Sequence, residues 1–313
     1  MNDSVIVRLE PAYTVTQETV GLSGRRPVRV QRVELNGQTV RPHNHAYYEV
    51  FLVLEGNCHH WTPTGPQPFF AGNVAVLAPG RIHAIDATKA TAVNLYYLAE
   101  WLLDDLPLLW SEYGLIAVFL EQALFQRSAW LDVPQFQLDA VGLQACAHEL
   151  QELEAEIARA HPSPPFLKAT LTKCLCRLAR SAVQAQQVRA FGFREEVWAY
   201  LSAVEEALSR GEAVPGGMPE VTTTLSRDHL SRLVREATGM SATGYFQKRR
   251  IQHAAVRLLN PTRTVTEVAL ECGYADAAHI SRYFRRFLGQ TPSAYRKAYA
   301  PTGTDTGPEV VPV

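Results

Sequence analysis

The spacing of apolar positions changes twice along the chain. Between Val28 and Tyr97 it is short-ranged. Val28-Arg-Val-Gln-Arg-Val-Glu-Leu35 alternates, and Tyr47 to Leu54 is aromatic and β-branched. Gly37, Gly56, Pro63, Gly65, Pro66, Gly72, Pro79 and Gly80 cut this region into pieces. Short strands at such intervals predict an all-β barrel or sandwich. From Glu100 to about Gln187 the period lengthens to that of a helix. Leu143, Cys146, Leu150, Leu153 and Ile157 step by three and four, which predicts a narrow apolar stripe. That stripe suits either pairing with a second copy of the chain or packing against the strands. Pro162, Pro164 and Pro165 end the helix, and Phe166 to Ala185 resumes with Leu171, Leu175 and Leu178 in phase. Gln184–Gly192 reads as a hinge, after which helical spacing continues to Ala298 with a Pro/Gly break at 215–219. The segment 301–313 is rich in Pro, Gly and Thr, which predicts disorder.

Laid over itself at an offset of 50 residues, the C-terminal third repeats. Ser226-Arg-Asp-His-Leu-Ser-Arg-Leu-Val-Arg-Glu-Ala-Thr-Gly239 matches Asp276-Ala-Ala-His-Ile-Ser-Arg-Tyr-Phe-Arg-Arg-Phe-Leu-Gly289. His229/His279, Ser231/Ser281, Arg232/Arg282, Arg235/Arg285, Gly239/Gly289 and Tyr245/Tyr295 are identical pairs. Two copies are too few for a solenoid, so the repeat reads as two tandem modules, each with the anatomy of a helix-turn-helix. In the second, Val265, Val268 and Ala269 form the apolar side of a first helix. Gly273 stands where the chain must turn, and Asp276 caps the helix that follows. Ile280, Tyr283, Phe284 and Phe287 fall on the buried side of that helix, leaving Ala277, Ala278, Ser281, Arg282 and Arg285 outside. Small residues followed by arginine suit a helix pressed into a DNA major groove. The first copy, capped by Ser226, turns out Arg227, Asp228, Ser231, Arg232 and Arg235. Ala242 to Leu259 predicts one continuous helix between the modules, roughly 27 Å long, enough to set two recognition helices about one DNA turn apart.

Charge sharpens this picture. The formal net charge is −1, but residues 219–300 carry 13 Lys and Arg against 6 Asp and Glu, a net of +7. Residues 1–218 carry a net of −6. A basic block in a near-neutral chain points to a polyanionic partner for that block. The five cysteines are scattered, which fits a reducing compartment better than a disulfide framework. The first ten residues have no apolar core of a signal peptide, and no run approaches the ~20 apolar residues that cross a bilayer. A cytoplasmic protein with no membrane partner is expected.

The second module resembles the AraC/XylS DNA-binding domain. The likeness lies in Val265-Thr-Glu-Val-Ala-Leu-Glu-Cys-Gly-Tyr274, His279-Ile-Ser-Arg-Tyr-Phe-Arg-Arg-Phe287 and Gly289-Gln-Thr-Pro-Ser-Ala-Tyr-Arg296, about a third of the chain with the first copy included. The first copy departs from the family pattern, with Glu220 in place of Ala and Thr224 in place of Gly. Gly37-x5-His43-x-His45-x3-Glu49-x6-Gly56 resembles the first cupin motif in every spacing. Gly72-x6-Pro79-Gly80-x2-His83 resembles the second, with Ala87 where that motif has Asn. In metal-binding cupins the equivalents of His43, His45, Glu49 and His83 hold one divalent ion. The donor types suit Fe, Mn, Ni, Cu or Zn, and His43 and His45 share a strand face with Glu49 at an even offset. Holding an ion, lining an effector pocket and filling the core all remain open for this set.

The resemblance implies an α+β chain. Residues 1–100 form a cupin-like β-barrel sensor, 101–190 a helical linker or dimerisation region, 193–300 an all-α domain with two helix-turn-helix motifs, and 301–313 a tail. It implies a DNA-binding transcription regulator rather than an enzyme. Its partners would be double-stranded DNA, a small-molecule effector, RNA polymerase and a second copy in a homodimer. The one candidate cofactor is a divalent metal in the cupin half. The alternative is a cupin metalloenzyme with a helical appendage. A fragment from Phe193 to Ala300 is expected to fold alone.

Overall fold

The computed structural model describes residues 10–126, 133–185, 193–210, 219–260 and 262–299. The tail at 301–313 and most of the expected hinge lie outside them. Seven strands open the chain: β1 (Tyr13–Val15), β2 (Val28–Asn36), β3 (Thr39–His45), β4 (Tyr48–Thr62), β5 (Gly65–Phe70), β6 (Asn73–Leu77) and β7 (His83–Tyr97). The expected α+β order, sheet first and helices after, is what forms. β4 and β7, 15 residues each, pair antiparallel along their length. β2 and β3 follow one another on the far edge of β7, and β6 and β5 do so on the far edge of β4.

Both faces of β4 are buried, and each belongs to a different core. Val50 and Leu52 point with Val93 and Leu95 toward the helices. Phe51 and Val53 point with Ile85, Ala90 and Ala92 into the concave side of the sheet. Strict alternation does not survive the whole strand. Between Val53 and Glu55 the pairing slips by one residue on β4, and between Asn57 and Cys58 it slips by one on β7. Each slip is a bulge that changes which parity faces inward. Gly56 lies between them at φ 76, and a Cβ there would stand 2.1 Å from the Lys89 carbonyl oxygen. Only glycine fits that crossing.

After β7 come a 3₁₀ turn (Ala99–Asp105) and three short helices, α1 (Leu106–Leu109), α2 (Tyr113–Leu115) and α3 (Glu121–Leu124). The region expected to be wholly helical then returns to the sheet as β8 (Gln135–Gln137), paired with β6. Three residues are too few to register as a strand period. α4 (Ala140–Ile157) and α5 (Pro164–Gln184) follow, capped by Asp139 and Ser163. Cys146, Leu150 and Leu153 of the predicted stripe are buried against α5 and the sheet. Of the two readings of that stripe, packing within the chain holds, and the surface offered for dimerisation is already covered.

The C-terminal helices are α6 (Glu195–Ser209), α7 (Arg227–Thr238), α8 (Ala242–Leu258), α9 (Val265–Glu271), α10 (Ala277–Leu288) and α11 (Pro292–Tyr299). α8 is the predicted connecting helix, one residue shorter than expected. α9 to α11 close a core of their own on α8, through Ile251, Leu258, Val268, Ile280 and Phe284. The first module does not. Tyr200, Leu230, Val234, Tyr245 and Phe246 belong to the same apolar cluster as the sheet and α5. The core therefore does not stop near residue 190, and a fragment starting at Phe193 bares an apolar face.

A buried ion pair lies at this seam, and hydrogen bonds from Arg249 and Gln252 cross it. Arg249 donates to both carboxylate oxygens of Glu205 on α6 at 2.8 and 2.9 Å, to Gln252 Oε1 at 2.7 Å and to the Leu103 carbonyl at 3.3 Å. Gln252 in turn donates to the Ala123 carbonyl at 2.9 Å. Removing one partner of such a pair strands a charge in the core. Arg249→Met is expected to lower stability by about 3–5 kcal/mol in urea unfolding, and the double variant with Glu205→Gln to lose markedly less than the two single losses added. On the same helix, burial and then the charges of Arg257 and Arg249 push His253 down to about 4. The unfolded chain binds that proton more readily, so the contribution is complete above the ordinary imidazole pKa and fades as pH falls toward 4. His253→Gln should therefore lose less stability than the wild type between pH 7 and pH 5, read from urea midpoints.

Candidate nucleic-acid interface and ion centre

α7 and α10 are built alike. Ser226 Oγ accepts from the His229 amide, and Asp276 Oδ1 accepts from the His279 amide at 2.6 Å. Each helix ends on a left-handed glycine, Gly239 at φ 78 and Gly289 at φ 71. Their apolar sides are buried through Leu230, Leu233 and Val234 in α7 and through Ile280 and Phe284 in α10. The outer faces expose Arg227, Asp228, Arg232 and Arg235 on the first, and Ala278, Arg282 and Arg285 on the second. Arg286 is exposed beside them and escaped sequence reasoning, because its counterpart fifty residues earlier is Glu236. Three residues expected on the outer face are less available. Ser231 Oγ accepts from the Ala242 amide, Ser281 Oγ donates to the Ala277 carbonyl at 2.6 Å, and Ala277 is half-buried. Both serine hydroxyls are spent inside the fold.

The scaffolds differ. In the second module Thr264 and Glu267 cap α9 reciprocally, and Gly273 turns at φ 73 into Tyr274, on which the Arg250 guanidinium lies at 4.0 Å. In the first, residues 219–225 carry no helix.

On the concave side of the sheet, His43, His45, Glu49 and His83 are all buried, with one donor atom of each within 4.8 Å of the others. His83 Nε2 lies 3.1 Å from both His43 Nε2 and His45 Nε2, and Glu49 Oε2 is 2.8 Å from His45 Nε2 and 3.9 Å from His83 Nε2. His43 Nδ1 is 2.9 Å from the Arg41 carbonyl, which takes its N–H and turns the Nε2 lone pair to the centre. Ligands about 2.0–2.2 Å from a tetrahedral ion stand roughly 3–3.5 Å apart, close to these spacings. Three imidazoles and a carboxylate converging this way fit a divalent transition ion. Burial holds His43 and His83 below the ordinary imidazole pKa, His83 well below it. Both are neutral at pH 7, as ligation requires.

The four come from three strands, not from one face of one strand. His43 and His45 end β3, Glu49 opens β4 across the Ala46–Tyr47 turn, and His83 opens β7. Glu49 shares the inward parity of Phe51 and Val53. A fifth group, His60, was missed: it is fully buried, its Nε2 is 3.1 Å from His83 Nδ1, and burial brings it down to about 3. The bulge on β4 explains the omission, since strict alternation from Glu49 places residue 60 outside. Gln135 of β8 reaches the other side of that ring, 3.4 Å from Nδ1.

A family model described as a helix-turn-helix domain matches residues 222–298. The HTH-type transcriptional activator RhaR of Mannheimia succiniciproducens is 24% identical over 82% of this chain and 87% of its own. The HTH-type transcriptional activator RhaS of Pectobacterium carotovorum is 26% identical over 93% of this chain and 96% of its own. Residues 222–298 carry a helix-turn-helix domain of the AraC type, and the chain is similar along most of its length to transcriptional activators. Among solved structures, ToxT of Vibrio cholerae aligns over 90% of this chain and 100% of its own at 12% identity, with a TM-score of 0.35. A cupin-2 domain protein from Shewanella frigidimarina aligns over 23% of this chain and 71% of its own at 23% identity, with a TM-score of 0.22. No described helix is long and apolar enough to cross a membrane.

Proposed function

We propose that this regulator binds operator DNA through α7 and α10 in two adjacent major grooves and controls transcription in response to what its N-terminal sheet holds. The observation that carries the reading is the repeated recognition helix: the same caps, the same buried side and the same exposed arginines, fifty residues apart. Arg232 and Arg282 hold equivalent central positions and read base edges. Arg227, Arg235, Arg285 and Arg286 lie flanking them and take phosphates. The relatives named as activators support activation, with RNA polymerase as a partner in the cytoplasm. A homodimer is part of the proposal, on a surface other than the α4 stripe. A cupin metalloenzyme would leave α7 to α11 without a role.

His43, His45, Glu49 and His83 hold a divalent ion as the sensory centre. When bound, that ion supplies a Lewis-acidic point to which an oxygen donor of a small effector attaches. The histidines present neutral nitrogen donors, Glu49 offsets the ion's charge, and the apolar lining from Phe51, Val53 and Phe69 excludes water.

Arg232→Ala and Arg282→Ala should each weaken operator binding by about 1–3 kcal/mol and relax preference at one base position. Wild-type binding by both variants in a gel-shift titration contradicts the groove assignment. His45→Ala and Glu49→Ala should abolish the transcriptional response in a reporter strain while operator affinity stays at the wild-type value. Elemental analysis of tag-free protein should find near one divalent ion per wild-type chain and none in the two variants. A normal response from both reduces the set to scaffold.

A further inference from the structure

His60 and Gln135 are left over by the ion centre as described. The His60 ring packs against both Phe51 and Phe69, with centroids at 6.0 and 4.9 Å. A buried imidazole needs both its N–H and its lone pair met. His60 meets them in one row: Nε2 lies 3.1 Å from His83 Nδ1, and Nδ1 lies 3.4 Å from Gln135 Nε2, an amide whose nitrogen and oxygen exchange places by a half-turn. Gln135 sits on β8 opposite Ala75 of β6.

The centre dictates the order of protons along that row. With the Nε2 lone pair of His83 committed to an ion, its ring proton is on Nδ1. That N–H then donates to His60 Nε2, so His60 carries its own proton on Nδ1. The His60 N–H must in turn donate to Gln135, which presents its carbonyl oxygen. In the reverse order the Gln135 N–H donates to His60 Nδ1, His60 Nε2–H donates to His83 Nδ1, and the His83 proton moves to Nε2, where it blocks ligation. Both orders are neutral. They differ in two tautomers and in a half-turn of one amide.

We infer that His60 and Gln135 form an outer relay that locks His83 in its ion-binding tautomer and reports occupancy of the centre to β8. This rests on the ion-centre reading. β8 is well placed to pass the signal on. Its flanks are tied to the sheet by Leu138 N–H to the Gly72 carbonyl at 2.9 Å and Val76 N–H to the Pro134 carbonyl at 3.0 Å. Asp139, next in the chain, caps α4. His60 and Gln135 are positioning residues, acting through His83.

The test uses the full chain, tag-free, stripped by a chelator and titrated with Zn²⁺ alone against a competing chelator. His60→Phe keeps the ring stack and removes the relay. Gln135→Leu removes its end, and Gln135→Glu keeps an acceptor there. The wild type should take one ion, His60→Phe and Gln135→Leu should bind it about 10–100-fold more weakly, and Gln135→Glu should retain wild-type affinity. Imidazole ¹⁵N spectra of the loaded wild type should place the His60 proton on Nδ1. Wild-type affinity in both His60→Phe and Gln135→Leu, or a His60 proton on Nε2 in the loaded protein, overturns the relay while the ion centre stands. A wild type that takes no ion overturns the centre and the relay together. If circular dichroism shows His60→Phe unfolded, the affinity of Gln135→Leu decides.

Discussion

A guanidinium taken out of water must be met on every side, and Arg249 is met by groups from three parts of the chain. Glu205 supplies the charge, Gln252 fills one remaining donor, and the Leu103 carbonyl fills another. None of these positions can drift without leaving a buried donor or charge unsatisfied, at a cost of several kcal/mol. The 3₁₀ turn after β7, α6 of the first module and α8 between the modules are thus fixed to one another. Gln252 adds α3 through the Ala123 carbonyl. Any shift in the segments that follow the sheet is felt by the helix that spaces the two recognition helices.

The two modules sit differently on that constraint. The second closes its own core around Phe284 and is complete without the rest of the chain. The first borrows from the cluster that also contains Leu102, Leu106 and Leu171. One module thus has a core of its own, and the other shares its core with the sheet and α5. The proposed ion centre lies on the other face of the same strands, with β4 carrying Glu49 inward and Val50 toward the helices.

Much of this was legible in the sequence because it is written in local rules. The offset of 50 residues, the caps Ser226 and Asp276, and Gly239 and Gly289 are short-range signals, and they place both recognition helices correctly. The spacing around His43, His45, Glu49 and His83 gives a set that the strands do assemble. What was not legible depends on contacts distant in sequence. β8 is three residues long and owes its existence to β6. His60 faces inward only because a bulge on β4 resets the alternation, while a second on β7 does the same for the partner strand. The α4 stripe has the spacing of a coiled coil, and only the presence of α5 and the sheet decides that it is spent within the chain. Ser231 and Ser281 read as outward positions by helical phase, yet their hydroxyls are taken by backbone groups that phase alone does not reveal.

The central claim, that the paired helices make this chain a sequence-specific regulator, is tested most directly by mapping where the full-length protein crosslinks to its own genome. The account predicts a small set of enriched promoter sites sharing a motif of two half-elements about one helical turn, roughly 34 Å, apart. Enrichment no greater than that of an untagged control, or binding spread evenly with no shared motif, would contradict it.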